Sequence, residues 1–505
     1  MLRIQFDELE SVSIVHYYFC IWLMSSDQNS LYQLLAEELR AAIQDGRLSA
    51  GSRLPSVRET SRSRALSINT VLAAYRQLET RGLVEARPQS GYFVRARLAS
   101  PITAKLALKP PPAKQAASAV LSRIEAALAA QSDPQTIDLS LACPKSSDFY
   151  PGKALSRFAA EFARRKPELL TDYSLPPGPI RLRREICRHG RELGMALEAD
   201  NIILTNGCME ALQLALRAVT QPGDTIAIES PTYFNLISLA EHLGLRMIEL
   251  PTHPAQGLSL DALELLFSER RVQAVVCMPT VHNPLGTSMP LAAKQRLAEM
   301  AQNWKIPVIE DALYAELQYA APLQPTVKSF DRDGWVILCT SYTKVLAPGF
   351  RVGWVDAGRF GRRLAALKFS ASLAQPAFLG EVLGAYLESG GYAQHLRRLR
   401  RLYAAQVDRL RGLIAEAFPA GTRATEPTGG FLVWVELPDG CDGNRLCDEA
   451  LPQGITITPG SLFSPTGRHK AHIRLSACHT FSDRHVHALL SLGKLAQKQL
   501  DFGVR

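Results

Sequence analysis

The stretch VILCTSYTKVLAPGFRVGWV, residues 336–355, holds two short apolar runs, VILC (336–339) and VGWV (352–355), around a polar loop. Runs of this length, rich in Val and Ile and bounded by Gly and Pro, read as buried strands. The loop between them carries Ser341, Thr343, Lys344, Pro348, Gly349 and Arg351. Hydroxyls, an amine and a guanidinium delivered past the end of a buried strand suit an open α/β sheet. In such sheets ligands sit outside the carboxyl ends of the strands.

The same alternation extends on either side. IILT (202–205), TIAIE (225–229), RMIEL (246–250), AVVCM (274–278) and PVIE (307–310) read as further strands. Helical periodicity falls between them at Glu210–Val219, Asn235–Leu243, Ala292–Trp304 and Gly361–Phe369. Alternating strands and helices predict a mostly parallel sheet with helices on both faces. After IILT comes Asn206-Gly207-Cys208-Met209, a glycine opening a helix, whose free N–H groups suit a phosphate. Tyr233 follows the second strand, and His282-Asn283-Pro284 follows AVVCM. Asp311 and Tyr314 follow PVIE. One aromatic plane, one phosphate cradle, one carboxylate and one lysine suit pyridoxal 5'-phosphate.

The chemistry assigns a role to each residue type. Lys344 is the Schiff-base lysine, and burial near other positive charge keeps its amine available. Asp311 pairs with the ring nitrogen and keeps the ring an electron sink. Asn283 and Tyr314 would hydrogen-bond the ring's phenolic oxygen, and Tyr233 would stack on the ring. Gly207, Cys208, Met209, Ser341, Thr343 and Arg351 would bind the phosphate. Arg474, in HIRLSA, fits a clamp for a ligand carboxylate. His282 reads as structural, and no metal site is expected.

The residues Asn283, Asp311, Lys344 and Arg351, in that order with short motif words around each, resemble the fold-type I aminotransferases over about residues 137–500. The resemblance implies an α/β body of pyridoxal-phosphate-dependent transferase type with a small C-terminal α/β subdomain. Tyr173, Pro177-Gly178 and Leu182-Arg183 extend it. By that resemblance Tyr173 reaches the cofactor of the neighbouring subunit. One departure is Leu141-Ala142-Cys143-Pro144, where aminotransferases often place a glycine before the substrate.

The N-terminal part is of another kind. Leu31, Leu34, Leu35, Leu39, Ala42 and Ile43 recur at helical spacing, with Gly46 as the stop. A second helix starts at Pro55 to Glu59, Ala65 to Ile68 form a turn, and Asn69 to Arg81 form a third helix. Leu83–Ala86 and Tyr92–Arg95 make a hairpin around residues 87–91. Three helices and a hairpin predict a winged helix-turn-helix whose third helix enters the major groove. The run from Leu31 to Val94 resembles the GntR-type DNA-binding domain nearly end to end. The resemblance implies that Arg58, Asn69, Thr70, Ser90 and Gly91 touch DNA. Here Ser67 is followed by Ile68, where that family often has Arg.

The chain has 505 residues, 47% of them hydrophobic, which excludes global disorder. Its formal charge of +9 is ambiguous as a total. Between Leu31 and Leu98, however, eleven arginines and no lysine stand against six acids. That places the basic density at the DNA-facing end. The nine cysteines form no CxxC pair and read as reduced thiols in a cytoplasmic protein. Val12 to Met24 is apolar but too short to span a bilayer, and no membrane partner is expected.

The expected organisation is therefore fourfold. Residues 1–23 read as a mis-assigned translation start or an extra segment. Residues 24–98 are the winged helix-turn-helix, 99–135 a Pro- and Ala-rich linker with a helix at 116–130, and 136–505 the body. The small subdomain occupies about 385–505. A GntR-type reader joined to an aminotransferase-like body resembles the MocR-type regulators. That implies a homodimer with crossed DNA-binding domains, which binds double-stranded DNA. It also implies that the body senses pyridoxal phosphate, or an adduct of it with an amino-acid or amine effector. Two other readings stay open: a working aminotransferase with an accessory DNA domain, and a DNA-binding protein whose body has lost the cofactor.

Overall fold

The computed structural model describes residues 31–87, 90–95, 133, 135–144 and 148–503. The segment before Met24 and the linker helix at 116–130 lie outside the described residues. The chain divides into two compact units, 1–97 and 98–505.

In the first unit, helices Leu31–Gln44, Val57–Arg64 and Ile68–Thr80 precede the strands Val84–Arg87 and Gly91–Val94, which pair antiparallel. Ser56 and Glu59 form a capping box that starts the second helix. Ser67 caps the third by accepting from the Thr70 N–H. The core is small: Leu35, Ile43, Leu54, Val71, Tyr75, Leu78 and Val94 are buried together. Leu31 and Leu34, expected inward, are exposed. The buried stripe runs through Leu35, Leu39 and Ile43, and Leu31 sits in the first turn, beyond the end of the core.

The second unit is built on an eight-stranded sheet. Its strands run in the order Ile202–Thr205, Gly353–Asp356, Val336–Ser341, Val308–Asp311, Ala274–Cys277, Thr225–Ser230, Arg246–His253 and Gly257–Leu258. The central pairings are parallel. Gly353–Asp356 runs antiparallel to both of its neighbours, so it begins where they end. Successive side chains point to opposite faces. Ile226, Ile228, Val276 and Ile309 therefore pack under helices Cys208–Val219 and Gly361–Ser372. Ala227, Val275, Cys277 and Val308 pack under Leu260–Ser268 and Leu291–Trp304 on the other face. Burial on both faces explains why these strands read as continuous apolar runs.

A second sheet, antiparallel, has the order Arg423–Ala424, Leu432–Glu436, His472–Ser476, Thr458–Pro459. The 27-residue helix Gly391–Ala417 and the helix Asp483–Gly503 pack with it. Ile137–Asp138 pairs in parallel with Ile455–Thr456, which brings the start of this unit to the smaller sheet. Among the described residues no helix is long and apolar enough to cross a membrane.

Candidate functional site

Because their strands share one direction, Thr205, Ser230, Cys277, Asp311 and Ser341 end at the same edge of the large sheet, and the reversed strand starts there at Gly353. The loops beyond that edge carry Gly207, Tyr233, Asn283, Tyr314, Lys344 and Arg351.

Gly207 has φ +78° and precedes the helix Cys208–Val219. Arg351, itself at φ +53°, donates from Nη2 to the Asn206 carbonyl at 3.3 Å. A Cβ on Gly207 would lie 2.7 Å from that nitrogen, and a Cβ on Gly353 would lie 2.5 Å from the Gly207 carbonyl carbon. Both glycines are thus required for the guanidinium to sit against the helix N-terminus. Ser341 Oγ accepts from the Thr343 N–H at 3.3 Å, and Thr343 Oγ1 is buried without a partner. Met209 packs its side chain on the core, so only its backbone faces this cradle.

A network that the sequence did not reveal fixes the cradle from behind. Glu210 accepts from the Asn206 N–H at 2.6 Å and from Lys368 Nζ at 2.8 Å. The buried Lys368 also donates to Gln375 Oε1 at 2.7 Å, and Gln375 Nε2 donates to Asn206 Oδ1 at 3.0 Å. An acid three residues after a helix-opening glycine was a readable sign. Lys368 and Gln375 gave none.

Asp311 is buried and accepts from the Leu313 N–H at 3.0 Å and from the Cys208 thiol at 3.5 Å. Burial pushes its carboxyl up to about 6. The Cys208 side chain therefore belongs to Asp311, and only its backbone remains for the cradle. Burial pushes the Tyr233 hydroxyl up to about 12. It also lowers the Lys344 amine; the charges of Arg474 and Arg351 act in the same sense, while the thiols of Cys143 and Cys478 oppose them. Tyr314 is buried edge-on to Phe431. His282 Nε2 lies 3.2 Å from Glu229, whose carboxylate accepts from the Met278 N–H.

Arg474 enters from the smaller sheet. Nη1 donates to Asn283 Oδ1 at 3.2 Å, and Nη2 donates to Thr458 Oγ1 at 3.2 Å and to the Ser140 carbonyl. Its Nε is buried without a partner. Tyr173 is not brought to this site. It is 80% exposed, and the pairing of Ser174 with Gln375 brings its segment, with the exposed Leu175, beside the segment of the exposed Phe369 and Leu373.

In the first unit Arg58 and Asn69 are exposed, and the Thr70 hydroxyl is held by Ser67 at 2.8 Å. Ser90 and Gly91 stand at the hairpin tip, with the Arg53 guanidinium close to Gly91. Six of the arginines are paired with acids: Arg40 and Arg81 with Glu37, Arg64 with Glu38, Arg47 with Asp45, and Arg87 and Arg95 with Glu85. Among the described residues Arg53, Arg58, Arg62 and Arg76 have no acidic partner. Among the described residues the unpaired positive charge is thus on these four side chains.

Residues 146–490 match the aminotransferase class I and II family, and residues 31–94 match the bacterial regulatory proteins of the gntR family. The chain belongs to the MocR-type regulators. It is 34% identical over 470 residues to the uncharacterized HTH-type transcriptional regulator YjiR of Escherichia coli, covering 93% of this chain and 99% of that one. It is also 34% identical to the regulator YdcR of the same organism, with the same coverage. Two solved structures resemble the body of this MocR-type chain. Pyrococcus horikoshii kynurenine aminotransferase in complex with PMP superposes with a TM-score of 0.70 at 26% identity, over 77% of this chain and 96% of that one. The α-aminoadipate aminotransferase LysN of Thermus thermophilus, complexed with N-(5'-phosphopyridoxyl)-L-leucine, gives 0.69 at 26% identity, over 76% and 98%.

Proposed function

We propose that this chain is a DNA-binding transcriptional regulator whose body holds pyridoxal 5'-phosphate and senses it, alone or with an amino-acid or amine effector. The observation that carries the reading is one chain holding both an arginine-faced winged helix and a Lys344–Asp311–Arg351 constellation around a glycine cradle. The residues present fit the cofactor. Gly207 lets the Arg351 guanidinium stand where a side chain would lie, beside the start of the helix Cys208–Val219, Thr343 Oγ1 and Arg474 Nε are buried polar atoms without partners, and Asp311 is a buried acid without a cation among the described residues. Both solved relatives named above carry pyridoxyl compounds in their complexes.

The cofactor, when bound, supplies an aldehyde and an electron-withdrawing ring. The protein supplies the rest. The N–H groups of Cys208 and Met209 would hold the phosphate with Ser341, Thr343 and Arg351, while the Gly207 N–H is given to the Thr205 carbonyl at 2.9 Å and that glycine shapes the turn. Tyr233 lies against the ring, and Asn283 and Tyr314 orient its oxygen. Asp311, charged above its pKa of about 6, holds a proton on the ring nitrogen. Lys344, made less basic than a free lysine by its burial, presents the amine that meets the aldehyde. Arg474 takes the carboxylate of an effector. Tyr173 is exposed and would serve a neighbouring copy, which makes a homodimer part of the proposal. DNA affinity then changes only by the difference in ligand affinity between two arrangements of the protein.

The test is a footprint of the full chain on DNA upstream of its own gene, with and without pyridoxal phosphate. The expected result is a protected site whose occupancy changes with the cofactor. A visible absorbance band should survive dialysis and vanish in Lys344→Ala. The complete set around Lys344 also favours a second reading, a working aminotransferase. Steady turnover of an amino acid and a 2-oxo acid, far above one half-reaction, would establish that reading instead.

A further inference from the structure

Ile68 is the first residue of the third helix of the winged unit and is 52% exposed. By helical angle it lines up with Tyr75, two turns on, yet Tyr75 is fully buried. The difference comes from position: Ile68 stands in the first turn, past the end of the small core. The backbone there is already satisfied, because Ser67 accepts from the Thr70 N–H at 3.1 Å. Around it the surface is polar or cationic. Asn69 is exposed beside it. Arg58 and Arg62, both exposed and without acidic partners among the described residues, lie one turn apart on the preceding helix.

Residues at the start of a recognition helix meet base edges, while the flanking helix meets phosphates. Arg58 and Arg62 suit phosphates. An isoleucine has no hydrogen bond to offer a base. The one apolar group on a base pair's major-groove edge is the 5-methyl of thymine. We infer that Ile68 is a specificity-determining residue that reads a thymine methyl in each half-site. This rests on the DNA-binding reading above.

The experiment selects duplexes from a random library with the full-length chain, then replaces single thymines by deoxyuridine at fixed salt. The wild type should enrich a thymine at one defined position of the half-site. Deleting its methyl should weaken binding about fourfold, the factor for burying one such group. Ile68→Ala should lose the preference there and bind thymine and uracil duplexes within about twofold, since it no longer reaches a single methyl. Ile68→Val should keep the dependence. An Ile68→Ala chain that enriches the same sequence with the same uracil sensitivity overturns this inference and leaves DNA binding intact. A wild type that enriches no sequence overturns the DNA reading and this inference with it.

Discussion

The guanidinium of Arg351 occupies the space that a side chain on Gly207 would need, its Nη2 standing 2.7 Å from the position of a Cβ there. Gly207 also has φ +78° and ψ 176°, a region open essentially to glycine alone. Gly207→Ala therefore meets two penalties, a strained backbone of about 1–3 kcal/mol and a displaced arginine. The protein should fold, since the core strands are untouched. Its affinity for pyridoxal phosphate, titrated by visible absorbance, should fall at least about tenfold, equivalent to about 1.4 kcal/mol. Unchanged affinity would show that the cradle does not bind the phosphate.

Asp311 gives a dependence on pH. Burial lifts its carboxyl from the ordinary 3.8 to about 6. An acid raised by folding destabilises the native state as pH rises through that window, with no cost below 3.8 and the full cost above 6. A shift of this size corresponds to about 3 kcal/mol. Cofactor-free Asp311→Asn should accordingly be about 2–3 kcal/mol more stable than wild type at pH 8, with the gain vanishing toward pH 4. Denaturant unfolding at the two pH values measures this. The same variant should hold pyridoxal phosphate more weakly at pH 8, because the ring nitrogen loses its counter-charge. A variant equally stable at both pH values would contradict the argument.

What could be read from the sequence follows from locality. The strands at 202–205, 225–230 and 274–277 were legible because their apolar residues face one buried layer or the other. The direction of Gly353–Asp356 was not, because nothing in VGWV encodes which way it runs. Lys344, Asp311 and Arg351 stood out because each follows a strand. Lys368 did not, because a lysine on a helix reads as solvated, and its partner Glu210 lies 158 residues away. Arg474 read only as a possible clamp, since its contact with Asn283 spans 191 residues. The strands Arg423–Ala424 and Thr458–Pro459, two residues each, have no periodicity to detect.

In the winged unit Tyr75 ties the third helix to the second. Its hydroxyl donates to the carbonyl of the exposed Pro55 at 2.8 Å and accepts from the buried Thr60 at 2.7 Å. Tyr75→Phe keeps the ring and leaves the buried Thr60 hydroxyl without this partner, at a cost of about 1–3 kcal/mol. A core this small feels that loss. The expected outcome is a lower melting temperature for the winged unit, seen as an earlier calorimetric transition. The absorbance of bound pyridoxal phosphate should be unchanged. Loss of the cofactor along with the winged unit would mean that the two units do not unfold separately.

The last prediction concerns the apolar face around Tyr173. The Gln375 N–H donates to the Ser174 carbonyl at 3.0 Å, which joins the segments carrying Tyr173, Leu175, Phe369 and Leu373 into one surface. Contiguous exposed apolar side chains of this kind mark a protein interface. Gln375 also reaches Asn206 at the cradle, so whatever covers this face steadies the phosphate loop from behind. Wild-type chain should sediment as a dimer at micromolar concentration, and Leu175→Asp combined with Phe369→Asp should sediment as a monomer. Two charges brought into a desolvated interface are costly, while on a free monomer they are solvated, so folding should survive. Because the face and the cradle share Gln375, the monomeric variant should also release pyridoxal phosphate on dialysis, although neither substitution touches Lys344 or Arg351. A variant that becomes monomeric yet retains the cofactor would separate the two roles of this face, and a wild type that is already monomeric would remove the role of Tyr173 altogether.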